Sequence, residues 1–550
     1  MGSDFTYHRY MSATPDPADR PASTAEIRDP QHDPTASYAM DQAFARRLTA
    51  LVRTTGRDGK LTSSPINLAP LATIPQSNVE DVDAAFGRAR KAQADWARTP
   101  VAERERMLMR YHDLVMERRD EIADLIVLES GKARKDAFAE VMHVAFTSRY
   151  YARKSSEFLG TERRAGVLPL LTRVDVNHVP KGVVGIISPW NYPFTMAMSD
   201  GLPALMAGNA VVAKPDAQTM LTALFGVLLL EEAGFPKDLW QVVAGPGSVI
   251  VTEIIQRADY ICFTGATATG KRIAAQCADR LIGCSLELGG KNPMLILRDA
   301  NVDRAAEGAV RATYSNAGQL CVSMERLFVA DQVYDKFVER FVERTKAMVV
   351  GDPAQWSTDM GCLISQDQLD TVVAHVEDAV AKGATVLAGG KARPDLGPYF
   401  YEPTILEGVT PEMTCFGNET FGPVISLYRF HDEADAVSRA NAGEYGLNAS
   451  IYSRDTKRAR VIARHVKCGT VNINEAFGAT FASLDTPMGG MRESGTGRRQ
   501  GAEGVLRFTE TQSVATQRLM RIAPAFGMSD ELYAKVMTTN LRILKKLGRA

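Results

Sequence analysis

The sequence predicts an α/β fold of two lobes, each built around a parallel sheet, and three observations carry that expectation. Between residues 183 and 288, short and almost wholly apolar segments alternate with helical ones. Strands this apolar are buried on both faces, as parallel strands are beneath crossover helices. The alternation returns between residues 289 and 480, and a chain of 550 residues exceeds the roughly 250–300 at which a single core stops growing.

Taken in order, residues 1–40 mix Pro, Asp, Ser, Ala and Arg with few bulky apolar side chains, so a disordered or loosely docked arm is expected. Val82, Ala85, Phe86, Ala89 and Trp96 then recur at helical spacing, and residues 104–128 read as a second amphipathic helix. Strands are expected at 183–188, 210–214, 240–244, 260–264 and 285–288, with helices at 217–233, 248–256 and 267–278. That order gives a doubly wound, Rossmann-like lobe. The apolar run 221–230 is followed at once by Glu231 and Glu232; it is too short to span a bilayer and suits a buried helix. In the second lobe, strands fit 325–329, 384–387, 425–428 and 470–473, and helices fit 331–349, 365–382 and 432–442.

Two segments belong to neither lobe. Residues 172–179, TRVDVNHV, and 507–516, RFTETQSVAT, alternate polar and apolar as half-exposed strands do, and such edges invite pairing across subunits. Residues 529–547 form an amphipathic helix with Tyr533, Val536, Met537, Leu544 and Leu547 on one side and Lys535, Arg542, Lys545 and Lys546 near the other. It is expected to dock on the protein body, with weak contact to a membrane surface as the alternative.

With 64 basic and 65 acidic residues the formal net charge is -1, which argues against a nucleic-acid footprint and for a small-molecule partner. Cys262, Cys277, Cys284, Cys321, Cys362, Cys415 and Cys468 are scattered without C-x-x-C spacing, so neither a disulfide framework nor a metal site is expected. The first residues lack a basic start followed by an apolar core, and a reducing, cytoplasmic setting fits best.

Three stretches carry candidate chemistry. Cys321 follows a small, flexible Ala-Gly-Gln segment in YSNAGQLCVS, Glu287 is a lone carboxylate in SLELGGKNP, and Asn191 follows an apolar run in SPWNYPF. A thiol, a carboxylate and an amide are the parts needed to make and hydrolyse a thioester. A cleft between the lobes would bring Glu287, where the first ends, to Cys321, near the start of the second. Phe263 to Thr267, FTGAT, followed by Gly270, lies at a strand-to-helix turn; its G-x-x-x-x-G spacing is not the dinucleotide fingerprint and by itself reads as a turn that needs glycine.

SPWNYPF, NAVVAKPD, FTGATATG, LELGGKNP, SNAGQLC, ETFGP and PMGGMRESGTGRR follow one another over about residues 65–515 in the order and spacing of the aldehyde dehydrogenase superfamily. The chain resembles that family, and within it bacterial NADP-dependent succinate-semialdehyde dehydrogenases of a longer form. The resemblance implies a cofactor-binding domain over 41–165 and 183–288, a catalytic domain over 289–487 and a small β oligomerisation arm over 166–182 and 488–518. A C-terminal helical extension over 519–550 follows, and the subunits would form homodimers or homotetramers.

By the same resemblance Cys321 is the nucleophile, Asn191 the donor to the developing oxyanion and Glu287 the general base that activates water. Lys214 would contact the adenosine ribose. Ala217 stands where NAD-preferring members carry a glutamate, which favours NADP and leaves NAD possible. Glu419 and Phe421 would hold the nicotinamide ribose and ring. Trp190, Gly265, Ala266, Gly270 and Leu288 complete the expected cofactor groove, Ala266 replacing a usual serine. Substrate contacts fall to Ser199, Ser315 and Phe477. The two serines occupy the places of the arginines that hold a semialdehyde carboxylate in well-studied relatives, so Arg149, Arg173 and Arg492 are the candidate replacement cations. The expected reaction is oxidation of succinate semialdehyde. The alternatives are a broad aliphatic or aromatic aldehyde dehydrogenase, a CoA-acylating relative, disfavoured by Glu287, and a non-catalytic binding protein on the same fold.

Overall fold

A computed structural model describes residues 30, 33, 37–167, 172–518, 522–546 and 548. Most of the arm expected over residues 1–40 lies outside the described residues; at its end Met40 is buried and the Ala39 N–H donates to the Pro70 carbonyl (2.8 Å). The helix Val79–Trp96 opens on a capping box between Asn78 and Asp81 and buries Val82, Ala85, Phe86, Ala89 and Trp96, the residues whose spacing predicts it. The single helix expected over 104–128 is instead two, Val101–Glu117 and Arg119–Ser130, because Arg118 leaves the helical region at φ -99°, ψ 15°.

The first sheet has six strands in the order Gly495–Thr496, Gly283–Glu287, Tyr260–Thr264, Val183–Ile187, Ala210–Lys214 and Trp240–Val242. All its pairs are parallel except the first. The chain leaves Val183–Ile187 toward one side and later returns to its other side. That reversal is a switch point, and a crevice opens beyond the carboxyl ends of its strands. The helix Met220–Ala233 packs against the helices Val101–Glu117, Arg119–Ser130 and Pro193–Met198 and buries the whole apolar run 221–230.

The second sheet has seven strands in the order Thr385–Ala388, Thr404–Glu407, Val424–Phe430, Met324–Ala330, Asn292–Ile296, Asn448–Tyr452 and Thr470–Ile473. Asn292–Ile296, Thr404–Glu407 and Asn448–Tyr452 go beyond the strands expected from the sequence, as do the helices Val302–Tyr314 and Thr456–Ala463. Pro293 ordinarily argues against a central strand. Here the register shifts between Asn292 and Pro293, which relieves the proline of a ladder bond.

Glu162–Arg164, Thr172–Pro180 and Thr509–Gln517 form a separate antiparallel sheet, and the outer strand Thr509–Gln517 is exposed beyond its first residue. The arm's boundaries therefore differ from those expected. Its first strand precedes residue 166, and most of 488–508 belongs to the first lobe. Gly495–Thr496 joins the first sheet, where a Cβ on Gly495 would lie 2.0 Å from the Leu286 carbonyl oxygen, and Val505 and Phe508 are wholly buried in the first core.

The helix Asp530–Lys546 buries none of its residues, so the docking expected of it is not found. Among the described residues no apolar face covers it: Val536 is 48% exposed and Leu541 63%. Leu547 lies outside the described residues. Among the described residues no helix is long and apolar enough to cross a membrane.

Candidate active site

Cys321 sits on a turn that the chain holds against its own preference. Asn316, Ala317 and Gly318 take φ values of 52°, 53° and 72° in succession. The left-handed region is open to glycine, tolerated by asparagine and costly for alanine. A Cβ on Gly318 would meet the Gly422 carbonyl oxygen at 2.0 Å. Several bonds over-determine the turn. The Asn316 N–H donates to Asp136 Oδ2 (2.9 Å), its side-chain amide donates to the carbonyls of Asn191 (2.9 Å) and Gln319 (3.0 Å), and Gln319 Oε1 accepts the Ile364 N–H (3.0 Å). Beyond the turn, Asn292 Nδ2 donates to the carbonyls of Cys321 and Ser323, both at 2.7 Å.

Asn191 follows the switch-point strand. Its carbonyl accepts from Lys132 Nζ (2.6 Å) as well as from Asn316, and its side-chain Nδ2 donates to the Gln319 carbonyl (3.1 Å). A primary amide has two protons, so one remains for another acceptor. Lys132 and Glu140 form an ion pair whose side chains are both 0% exposed. Glu140 Oε2 also accepts the N–H groups of Phe194 (3.0 Å) and Thr195 (3.1 Å), and Lys132 stands 3.8 Å from the centre of the Tyr192 ring. Burial pushes Lys132 down and Glu140 up, each toward neutrality, and their mutual attraction opposes both.

Glu287 is 7% exposed, and its Oε1 is buried without a hydrogen-bond partner among the described residues. Burial pushes its carboxyl up to about 7, chiefly against the attraction of Arg499, whose Nε lies 3.9 Å from Oε1. Arg499 is steadied by Asp200, which accepts from Arg499 (2.8 Å) and Arg507 (2.6 Å). Burial also pushes the Cys321 thiol up to about 12; the charges of Glu287 and Glu419 add to this and Arg499 opposes it. The cysteine is therefore a thiol at neutral pH, within electrostatic reach of a carboxylate that titrates there.

Of the residues expected to hold the cofactor, Trp190, Lys214, Ala217, Gly265, Ala266 and Leu288 lie at or just beyond the carboxyl ends of strands in the first sheet, and Glu419 and Phe421 precede the strand Val424–Phe430 of the second. Trp190 and Phe421 meet edge to face at 5.6 Å. Glu419 Oε1 accepts the Gly290 N–H (2.9 Å), and burial pushes this carboxyl up to about 8. A second buried pair, Lys291 with Glu325, supports this side, Glu325 accepting the N–H groups of Thr420 and Phe421. Gly270 lets Leu288 approach, since a Cβ there would lie 2.4 Å from Leu288 Cδ2, and the Gly265 N–H donates to the Glu287 carbonyl (3.0 Å). Ala266 is the N-cap of the helix Thr267–Asp279 and supplies no side-chain cap. Lys214 is pushed down by burial, which Asp216 opposes and Lys60 assists; its Nζ has only a 3.4 Å contact to the Pro215 carbonyl. Ala217 is half-buried beside Asp216, whose carboxylate accepts the Gln218 N–H (2.9 Å). A desolvated cation, an uncapped helix start and a pair of aromatic rings fit a phosphorylated nicotinamide cofactor.

A cavity of 940 Å³ opens beside Cys321, walled by Tyr192, Leu320, Val322, Ser315, Phe477 and Phe481. Ser315 and Phe477, expected as substrate contacts, are among its lining residues. Ser199 is not on this wall; its hydroxyl is buried at the end of the helix Pro193–Met198, without a hydrogen-bond partner among the described residues. Nor do Arg149, Arg173 and Arg492 reach the cavity. Arg173 is paired with Asp175 on the arm, and Arg492 donates to the carbonyls of Asn441 and Tyr445. The cavity's cations are Lys135, Arg304, Arg311 and Arg344. Sequence reasoning also missed Lys132, Glu140, Asp200 and Arg499. The only signals for them are a lysine closing an apolar helix in ESGK and the paired arginines of GTGRR.

The aldehyde dehydrogenase family profile matches residues 54–514. A Mycolicibacterium smegmatis protein named "Putative succinate-semialdehyde dehydrogenase", with NADP(+) as its stated cofactor, is 49% identical over 512 residues, covering 93% of this chain and 99% of that one. An Arabidopsis thaliana protein named aldehyde dehydrogenase family 2 member C4 is 36% identical over 82% of this chain and 90% of its own. Among solved structures, an E. coli NADP-dependent enzyme superposes with a TM-score of 0.82 at 33% identity, over 85% of this chain and 96% of that one. A Staphylococcus aureus betaine aldehyde dehydrogenase in complex with NAD+ does so with a TM-score of 0.82 at 30% identity, over 88% and 100%.

Proposed function

The chain belongs to the aldehyde dehydrogenase family and is an NAD(P)-dependent aldehyde oxidoreductase; from that premise we propose that it oxidises succinate semialdehyde to succinate through Cys321, preferring NADP and accepting NAD. One observation carries the chemistry. A half-buried cysteine, an amide held through its own carbonyl beside the turn before that cysteine, and a carboxylate that acts on the thiol and has an oxygen unpartnered among the described residues together support it.

Cys321 gives up its proton to solvent water as its sulfur attacks the aldehyde carbon, and Asn191 Nδ2 donates to the oxyanion that forms. The bound nicotinamide supplies the hydride acceptor. A thioester then remains on Cys321, and Glu287 takes a proton from the water that hydrolyses it. A carboxyl group held near 7 takes up a proton at working pH and gives it back, and Arg499, 3.9 Å away, keeps the charged form accessible. Succinate semialdehyde is supported by the name of the M. smegmatis relative, and NADP by the absence of a carboxylate at Ala217 together with the desolvated Lys214. The apolar cavity wall and the serine at position 315 favour a second reading, a broader aliphatic aldehyde range.

The exposed edge of Thr509–Gln517 supports association into homodimers or homotetramers, and seven free cysteines fit the reducing cytoplasm. The direct test is an aldehyde panel with NADP and NAD, followed by absorbance of the reduced nicotinamide. The reading expects succinate semialdehyde with NADP to give the highest kcat/KM. A uniform response to unrelated aldehydes would replace it with the broader one.

A further inference from the structure

We propose that Arg311 is the carboxylate anchor of the substrate cavity, and that the preferred substrates are ω-carboxy aldehydes held between it and Cys321. The inference rests on the reading of the chain as a semialdehyde dehydrogenase and names the residue that makes it one.

Arg311 lies on the helix Val302–Tyr314, one turn before Ser315, so the two share a helix face. Ser315 cannot do the work of a cation. Its hydroxyl proton is donated to the Arg311 carbonyl (2.9 Å), which leaves only lone pairs to meet a carboxylate. The Arg311 guanidinium lies 5.6 Å from the centre of the Phe477 ring, and Phe477 packs with Cys321 against the apolar cluster of Tyr192, Leu320 and Met488. The cation is thus seated on the wall that leads to the nucleophile. Its field reaches that wall, where it opposes the rise that burial imposes on Tyr192.

Of the other three cavity cations, Arg304 donates to the Asn474 carbonyl (3.0 Å) and Lys135 pairs with Asp359 (2.5 Å), while Arg344, on the helix Tyr334–Lys346, is not among the leading charges that act on Tyr192, as Arg311 is. Arg311 has a lesser partner. Its contact with Glu475 Oε1 is 3.3 Å long, between side chains 60% and 32% exposed, and an exposed pair of that kind contributes little. An incoming carboxylate can displace it and accept two parallel N–H bonds from the planar fork, which a lysine could not offer. The apolar wall between Arg311 and Cys321 suits the methylene spacer of such a substrate.

The test compares kcat/KM for succinate semialdehyde with that for butanal, which has the same number of carbons and no carboxylate. For the unmutated protein the ratio should favour the semialdehyde. Arg311→Met should lower the ratio about ten- to a hundredfold, the worth of hydrogen bonds to a charged group, with Arg311→Lys falling between. Glu475→Gln, which frees the guanidinium, should raise the ratio. A ratio unchanged by Arg311→Met overturns the anchor. A ratio near unity in the unmutated protein overturns the carboxylate preference while leaving aldehyde oxidation standing, whereas oxidation of neither aldehyde overturns the underlying reading as well.

Discussion

The two sides of the groove use the same device, a buried lysine–glutamate pair, to hold different things. On one side Glu140 accepts the N–H groups of Phe194 and Thr195 while Lys132 reaches the Asn191 carbonyl. On the other Glu325 accepts the N–H groups of Thr420 and Phe421, beside Glu419. Buried ion pairs add little net stability against a well-packed apolar substitute, yet breaking one is expensive. What each pair contributes is position. The Lys132 pair positions Asn191, the proposed oxyanion donor, and the Lys291 pair positions the loop of Glu419 and Phe421, the proposed cofactor contacts. The first should govern kcat and the second cofactor KM.

The largest effect expected is that of Lys132→Met, which strands Glu140 in a dry interior. It should cost ~3–5 kcal/mol of stability in denaturant unfolding, with a fall in kcat among the molecules still folded. A change confined to cofactor KM would erase the distinction between the pairs. Asn191→Ala removes the oxyanion donor itself and should lower kcat by about 2.7–4 kcal/mol of barrier; a mere rise in substrate KM would take Asn191 out of the chemical step. Glu325→Gln keeps the shape and removes the charge behind Thr420 and Phe421. It should raise cofactor KM by roughly the 1–3 kcal/mol of an unsatisfied buried group, with kcat moving less.

The pH profile sharpens the chemical side further. In the proposed mechanism the base is the carboxylate form of Glu287, a group that burial pushes up to about 7. Turnover limited by thioester hydrolysis should therefore rise with pH through about 7 and level off above it, and that limb should vanish in Glu287→Gln. The smallest effect belongs to the cofactor side. Ala217→Glu would set a carboxylate against a 2′-phosphate and shift the NADP/NAD ratio of kcat/KM toward NAD by ~1 kcal/mol, the size of a like-charge contact in water.

The sequence reading of these sides had uneven reach for a physical reason. Strands such as Val183–Ile187 were legible because burial on both faces demands an unbroken apolar run. Cys321, Asn191 and Glu287 stand in motifs whose neighbours are as specific as they are. The buried pairs were not legible, since Lys132 and Glu140 look in sequence like any surface lysine and glutamate until the fold removes their water. The same holds for Arg311, whose significance comes from what stands four residues on and across the cavity, not from its own surroundings in the chain. The helix Asp530–Lys546 errs the other way: its amphipathic pattern predicts docking on the body, and among the described residues it buries none of its side chains.

In the proposed mechanism Glu287 serves the hydrolysis of a thioester on Cys321 and not its formation. Rapid mixing of Glu287→Gln with aldehyde and NADP, following the reduced nicotinamide, tests it most directly. The expected trace is a burst stoichiometric with active sites, followed by turnover far slower than that of the unmutated protein. A steady rate equal to the unmutated protein's, or a burst lost together with the turnover, would contradict it.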